Sequence, residues 1–132
     1  MISWGSQVRR IVLGRPFCSV DKLSPSEFDS MALHELNEIA ERVDSHDSRI
    51  SPENVELHEG VLTIEFPSGT FVLNKHGASG QIWYSSPVSR PAYFEPLTDS
   101  GKKWWSLSLN MTLRLKLQSD IERLIGEKID LD

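Results

Sequence analysis

The chain has 132 residues, which gives room for one domain with a core large enough to fold independently. Hydrophobic residues make up 39% and charged residues 25%, and no apolar run is long enough for a transmembrane helix. The one cysteine, Cys18, excludes an internal disulfide and any metal site built from several thiolates.

Negative charge is concentrated in one part of the chain. Residues 26–59 carry ten acids against Arg42 and Arg49, a net charge of −8, whereas residues 1–25 carry +3 and residues 60–132 balance. A strongly acidic surface repels phosphate backbones, so we expect no nucleic-acid partner. Cations, or a partner protein with a basic surface, are favoured instead.

The N-terminal segment differs in composition from the rest. Residues 1–23 combine arginine, serine and apolar side chains with almost no acid, which is typical of a mitochondrial transit peptide. The alternative is a disordered native N-terminus. The folded domain is predicted to cover residues 24–132.

A first helix is predicted to begin at Ser24, a capping residue, with Glu27 as an early acid that complements the helix dipole. Apolar residues at spacings of three and four occupy one half of this helix: Phe28, Met31, Ala32, Leu36, Ile39, Ala40 and Val43. The other half is mostly acidic: Glu27, His34, Glu38, Glu41 and Asp44. Glu35 falls near the apolar boundary, where the periodicity gives no reason for a charge. The helix is expected to end within residues 45–47.

From Asn54 the apolar period changes to two, which predicts strands. They are expected at residues 54–58, 61–66, 70–74, 81–85, 92–95 and 103–106. Tight turns at Glu59-Gly60 and Pro67-Ser68-Gly69, and a loop at residues 75–80, separate successive strands. Such short connections indicate an antiparallel meander.

A second helix is predicted near the C-terminal end, with Asn110 or Thr112 as its cap and Gly126 near its end. Its apolar stripe is Leu113, Leu117, Ile121, Leu124 and Ile125. Two amphipathic helices flanking one sheet predict an α+β fold. We expect a two-layer sandwich, with both helices packed on one face of a five- to seven-stranded antiparallel sheet.

The strand at residues 81–85 predicts a binding face. Alternation points Ile82 and Tyr84 toward the helices and leaves Trp83 and Gln81 on the outer face, beside Asn74 of the preceding strand. An exposed tryptophan among amide side chains is typical of a protein-binding hot spot. The alternative is that the loop at residues 86–91 covers Trp83.

The carboxylates of the first helix and first strand predict a metal-binding ridge. The candidate ligands are Glu27, His34, Glu38, Glu41, Asp44, Glu53 and Glu56. Carboxylates suit hard cations such as iron, manganese, magnesium or calcium. An open ridge does not fix a coordination geometry, so weak binding is expected. The alternative is an ordinary solvated helix face.

Several segments resemble the frataxin family in the right order over residues 26–126. They are Asn74-Lys75 and Gln81-Ile82-Trp83-Tyr84-Ser85-Ser86-Pro87 for the family signature, residues 60–64 for its second strand, and Ser26-Glu27-Phe28 with Met31-Ala32 for its first helix. The resemblance is to eukaryotic mitochondrial frataxins, which are similar to bacterial frataxin-like proteins. It implies a location in the mitochondrial matrix or in a mitochondrion-derived organelle.

The resemblance implies an iron-binding accessory protein of iron–sulfur cluster assembly and of iron homeostasis. Such a protein modulates sulfur transfer by a complex of cysteine desulfurase and scaffold protein, and acts as an iron chaperone that donates ferrous iron. Weakly bound ferrous or ferric iron is expected, without an organic cofactor. We expect a monomer that iron can drive into oligomers, and no membrane partner. The matching partner-binding positions are Asn74, Gln81, Ile82 and Trp83.

Two positions depart from the family pattern. His76 stands where related eukaryotic sequences commonly have glutamine, and Tyr93 stands where an interface arginine is expected, with Arg90 as a candidate replacement. Two other functions stay open. One is a ferroxidase that stores iron in oligomers, for which an open ridge predicts at most weak activity. The other is an acidic protein-interaction module without a metal role.

Overall fold

The computed structural model describes residues 23–44, 50–97 and 103–132. Its elements, in chain order, are α1 (Pro25–Asp44), β1 (Asn54–His58), β2 (Val61–Phe66), β3 (Gly69–His76), β4 (Gln81–Ser85), β5 (Ala92–Leu97), β6 (Lys103–Ser106), β7 (Met111–Thr112) and α2 (Leu113–Ile125). The predicted transit peptide falls outside the described residues except for Leu23, which packs against the core. That assignment stays a prediction.

The first helix begins in a reciprocal capping box. Ser24 Oγ accepts a hydrogen bond from the Glu27 backbone N–H at 3.1 Å, and Glu27 Oε1 accepts one from the Ser24 N–H at 2.9 Å. The predicted start of α1 is therefore confirmed. The predicted end, at residues 45–47, lies outside the described residues.

Replacing the cap should have a measurable cost. Ser24→Ala leaves the Glu27 N–H without its side-chain acceptor, so we expect the free energy of unfolding to fall by about 1 kcal/mol in urea titration. Ser30→Ala, within the same helix, should change it by less than about 0.5 kcal/mol. Equal losses from both variants would contradict a capping role.

The sheet is a simple meander in which the strands pair in chain order, and every neighbouring pair is antiparallel. The predicted topology is therefore confirmed, with β7 as an additional strand. Two residues are too few to show an alternation, so β7 leaves no pattern in the sequence.

The predicted bounds of two strands were wrong: β3 begins one residue earlier, at Gly69, and both β3 and β5 end later than expected. Residues 75 and 76, assigned to a loop from the sequence, continue β3, where Lys75 pairs with Ile82 and His76 with Gln81. Lys75 tolerates this inward position because its ammonium group forms an ion pair with Asp29 of α1. The strand β5, predicted to end at residue 95, continues to Leu97, which pairs with Lys103.

Both helices cover the same face of the sheet, which we call the inner face. The fully buried side chains include Leu36 and Ile39 from α1, and Leu117 and Ile121 from α2, against inward residues of the strands. This arrangement confirms the predicted two-layer α+β sandwich. No helix among the described residues is long and apolar enough to span a membrane.

The second helix has a cap at each end. Thr112, rather than Asn110, is the N-cap, and its side chain accepts a hydrogen bond from the Leu115 N–H at 3.2 Å. Gly126 ends the helix with φ of 78°, a left-handed conformation that glycine adopts without strain. Beyond it, Ile129 and Leu131 are buried, so the C-terminal segment joins the core.

One ion-pair group joins the two helices. The Arg114 guanidinium of α2 donates two hydrogen bonds to the Glu35 carboxylate, at 2.9 and 2.7 Å, and one to Glu38 at 2.7 Å. It also donates to the Leu131 carbonyl at 2.9 Å. This group explains the acid at the apolar boundary of α1, because Glu35 is buried between the helices with a bidentate cation.

Candidate functional site

The opposite face of the sheet, which we call the outer face, faces away from α1 and α2. Alternation along β4 buries Ile82 and Tyr84 almost completely and leaves Trp83 with 38% of its surface exposed. The register places Asn74 of β3 on one side of Trp83 and Tyr93 of β5 on the other. The outward tryptophan predicted from the sequence is therefore in the predicted place.

Contacts on several sides hold the Trp83 side chain, and we call His76, Gln81, Trp83 and Tyr93 the Trp83 cluster. The His76 ring stacks on the indole with centroids 3.7 Å apart and planes 12° apart, and the Tyr93 ring packs edge-to-face at 5.5 Å. The indole N–H donates to Gln81 Oε1 at 3.0 Å, and Gln81 Nε2 donates to Glu95 at 3.2 Å. Trp83 is thus fixed before any partner arrives.

A hollow of about 230 Å³ opens beside the indole. Its lining combines apolar and aromatic groups with an amide and a hydroxyl: Val72, Asn74, Trp83, Tyr84, Ser85, Pro91 and Tyr93. Of the loop between β4 and β5, only Pro91 lines it. Because Trp83 stays exposed, the alternative that this loop covers it was wrong.

The predicted partner-binding residues are brought together only in part. Asn74, Gln81 and Trp83 share the outer face, where Asn74 and Gln81 are half-buried and Trp83 is exposed. The Ile82 side chain is fully buried, so it belongs to the core. Arg90 is exposed in the loop between β4 and β5 and does not line the hollow.

Three residues of the predicted acidic ridge already have protein partners: the carboxylates of Glu27 and Glu38, and the imidazole of His34. The backbone N–H of Ser24 holds the pKa of Glu27 below its ordinary value. The Arg114 guanidinium does the same for Glu38, whose carboxylate also lies 3.1 Å from His34. The carboxylates of Glu27 and Glu38 are therefore anionic at neutral pH and engaged in stabilising α1.

The remaining ridge candidates are dispersed. Glu41 and Asp44 are exposed at the end of α1, and Glu53 is exposed just before β1. Glu56 lies opposite Thr63 on the outer face, away from the helices. Within residues 23–44, 50–97 and 103–132, no three Asp, Glu, His or Cys side chains are placed to hold one metal ion.

A buried carboxylate that was not predicted from the sequence lies behind the outer face. Asp120 of α2 is completely buried, and its Oδ2 accepts hydrogen bonds from the Tyr84 hydroxyl at 2.6 Å and the Ser89 hydroxyl at 2.7 Å. Its other oxygen lies 3.4 Å from the Lys116 ammonium. The network ties α2 to β4 and to the loop that ends at Pro91. Its signal in the sequence was an acid directly before Ile121 of the apolar stripe.

Fold and surface together define a class: a small two-layer α+β protein whose helices cover one sheet face and whose other face presents an exposed, fixed tryptophan. The model of the frataxin-like domain family matches residues 21–127. The chain therefore belongs to the frataxin family, as its segments predicted.

Named relatives agree with this assignment. Mitochondrial frataxin of Arabidopsis thaliana is 33% identical over 112 residues, covering 83% of this chain and 59% of that protein. The mitochondrial frataxin homolog of Saccharomyces cerevisiae is 35% identical over 102 residues, covering 76% and 56%. The chain thus spans less than two thirds of the length of these curated relatives. Their names confirm the predicted mitochondrial localisation.

The fold has a counterpart among solved structures. Frataxin from Psychromonas ingrahamii, of the CyaY protein family, superposes with a TM-score of 0.71. The match covers 83% of this chain and 99% of that one at 17% sequence identity, a level that bears on the fold alone.

Proposed function

We propose that this chain is an accessory protein of mitochondrial iron–sulfur cluster assembly, which docks through its outer face on the complex of cysteine desulfurase and scaffold protein and modulates sulfur transfer. The observation that carries the proposal is the Trp83 cluster, an exposed indole held by its neighbours on the outer face of the sheet. Hot spots of protein interfaces are enriched in tryptophan, and a fixed side chain loses little entropy on binding.

Removing the indole should weaken this activity. Trp83→Ala truncates the centre of the proposed interface, and loss of a hot spot of about 2 kcal/mol weakens affinity about thirtyfold. The measurement is the rate of cluster formation by the purified desulfurase–scaffold complex, as a function of the concentration of this chain. We expect the half-maximal concentration to rise by that factor.

Leu115→Ser is a matched control, because Leu115 is an exposed apolar side chain on α2, on the inner side of the sheet. It should leave the concentration dependence unchanged. Circular dichroism of each variant shows whether the fold is retained. Folded Trp83→Ala protein that acts like wild type would refute docking through the outer face.

Iron is proposed as a weakly held cargo of the acidic stretch, rather than as a resident cofactor. The support is the net charge of −8 over residues 26–59 and the exposure of Glu41, Asp44 and Glu53. Dispersed carboxylates attract a hard cation without enclosing it, so affinity and selectivity are expected to be low. A ferroxidase role has no specific observation in its favour among the described residues.

An iron titration tests this part. Under anaerobic conditions, ferrous iron should broaden the amide NMR signals of α1 near Glu41 and Asp44 before those of α2. The double variant Glu41→Gln, Asp44→Asn should need a several-fold higher iron concentration for the same broadening, whereas Glu122→Gln, an exposed acid on α2, should not. Broadening spread evenly over the chain would contradict the proposal.

A further inference from the structure

The hollow beside Trp83 has the size of a site for one side chain. Its volume of about 230 Å³ is below the roughly 300–1,000 Å³ of pockets that hold organic ligands. Trp83, Tyr93 and Pro91 supply apolar and aromatic surface, and Asn74 and Ser85 supply polar groups. An occupant must therefore combine a flat or apolar part with hydrogen-bond donors or acceptors.

The contacts of Trp83 limit what the occupant meets. His76 covers one face of the indole, and Gln81 takes up the indole N–H. The exposed part of the side chain is therefore its aromatic surface, next to the ring of Tyr93. Such surfaces attract cations, because the face of an aromatic ring carries partial negative charge.

The outer face also carries net negative charge, which attracts cations as the aromatic rings do. Among the described strands, three acids occupy outward positions, Glu56, Glu65 and Glu95, against the single base Lys103. None of the described residues that line the hollow is cationic. A positively charged side chain is therefore attracted to the hollow, and an acidic one is repelled.

We propose that the hollow receives one arginine side chain of the partner protein. The planes of Trp83 and Tyr93 are 75° apart, so the guanidinium stacks on one of these two rings and contacts the other with its edge. Its N–H groups donate to the Asn74 side-chain carbonyl and the Ser85 hydroxyl. Arginine fits better than lysine, because its guanidinium is planar, weakly hydrated and carries five donors. This inference rests on the proposed docking through the outer face and adds the chemistry of the contact.

The proposal also accounts for Tyr93, which stands where the family resemblance predicts an arginine. A cation at position 93 would line the hollow and repel a second cation. A tyrosine at the same position provides an aromatic wall. In this chain the arginine of the contact therefore comes from the partner, and the side chain at position 93 receives it.

The test is an NMR titration of the whole chain with N-acetyl-arginine amide, N-acetyl-lysine amide and N-acetyl-proline amide. The arginine compound should shift the Trp83 indole N–H and the Asn74 and Ser85 amides, with an affinity about two- to fivefold higher than the lysine compound. Tyr93→Arg should abolish the shifts, whereas Leu115→Ser should leave them unchanged.

Three results would overturn the inference: equal affinities for arginine and lysine, stronger binding of the proline compound, or unchanged shifts in the Tyr93→Arg variant. None of them depends on the desulfurase–scaffold complex. If the titration fails while Trp83→Ala still impairs cluster formation, the outer face docks with a different contact. If the titration succeeds while Trp83→Ala has no effect in that assay, the hollow binds arginine and the proposed function is wrong.

Discussion

Replacing Arg114 with alanine is expected to lower the free energy of unfolding by about 3–5 kcal/mol. The Arg114 side chain is 16% exposed and the Glu35 side chain 6%, so the variant leaves a buried carboxylate without its cation. It also removes the hydrogen bond to the Leu131 carbonyl, which holds the C-terminal segment against the helices. Urea unfolding followed by tryptophan fluorescence measures the loss.

A double variant separates the charge from the packing. Arg114→Met with Glu35→Leu replaces the buried ion pair with apolar groups, a change that is often neutral in proteins, so most of the stability should return. The buried ion pair would be refuted as the cause if Arg114→Ala cost less than about 1 kcal/mol. The same holds if the double variant were as unstable as the single one.

The second large effect is expected at Asp120. Asp120→Ala leaves the Tyr84 and Ser89 hydroxyls without their acceptor, and each unpaired buried donor costs about 1–3 kcal/mol. We expect a loss of about 2–5 kcal/mol in urea unfolding. Tyr84→Phe removes one donor and leaves the carboxylate, so it should cost distinctly less. Equal stability of Asp120→Ala and wild type would contradict the network.

The same carboxylate makes stability depend on pH. Burial by itself raises the pKa of Asp120, but hydrogen bonds from Tyr84, Ser89 and Ser86 outweigh it and hold the pKa below its ordinary value. Its stabilisation is therefore complete above the unfolded pKa of about 3.9 and is lost as the pH falls through the folded pKa. As the pH falls from about 5 to about 2, the free energy of unfolding of wild type should therefore decrease more steeply than that of Asp120→Asn.

Local patterns were sufficient to predict both helices, six of the seven strands and one face of the candidate site. The change of period at Asn54, the helix cap at Ser24 and the short turns are set by neighbours in sequence, and the structure confirms them. The outward position of Trp83 followed in the same way, since alternation in β4 requires only that Ile82 and Tyr84 be buried.

Contacts between distant residues were beyond the reach of those patterns. Glu35 and Arg114 are 79 positions apart, so the periodicity of α1 marked Glu35 as unusual without identifying its partner. His76 was placed in a loop, and its stacking on Trp83 depends on the register that pairs it with Gln81.

Hydrogen–deuterium exchange of this chain, alone and bound to the desulfurase–scaffold complex, tests most directly whether the outer face is the docking surface. We expect slower exchange in β3 to β5 around Asn74, Trp83 and Tyr93, with little change in the second half of α2. Protection confined to the helices, with these strands unchanged, would contradict it.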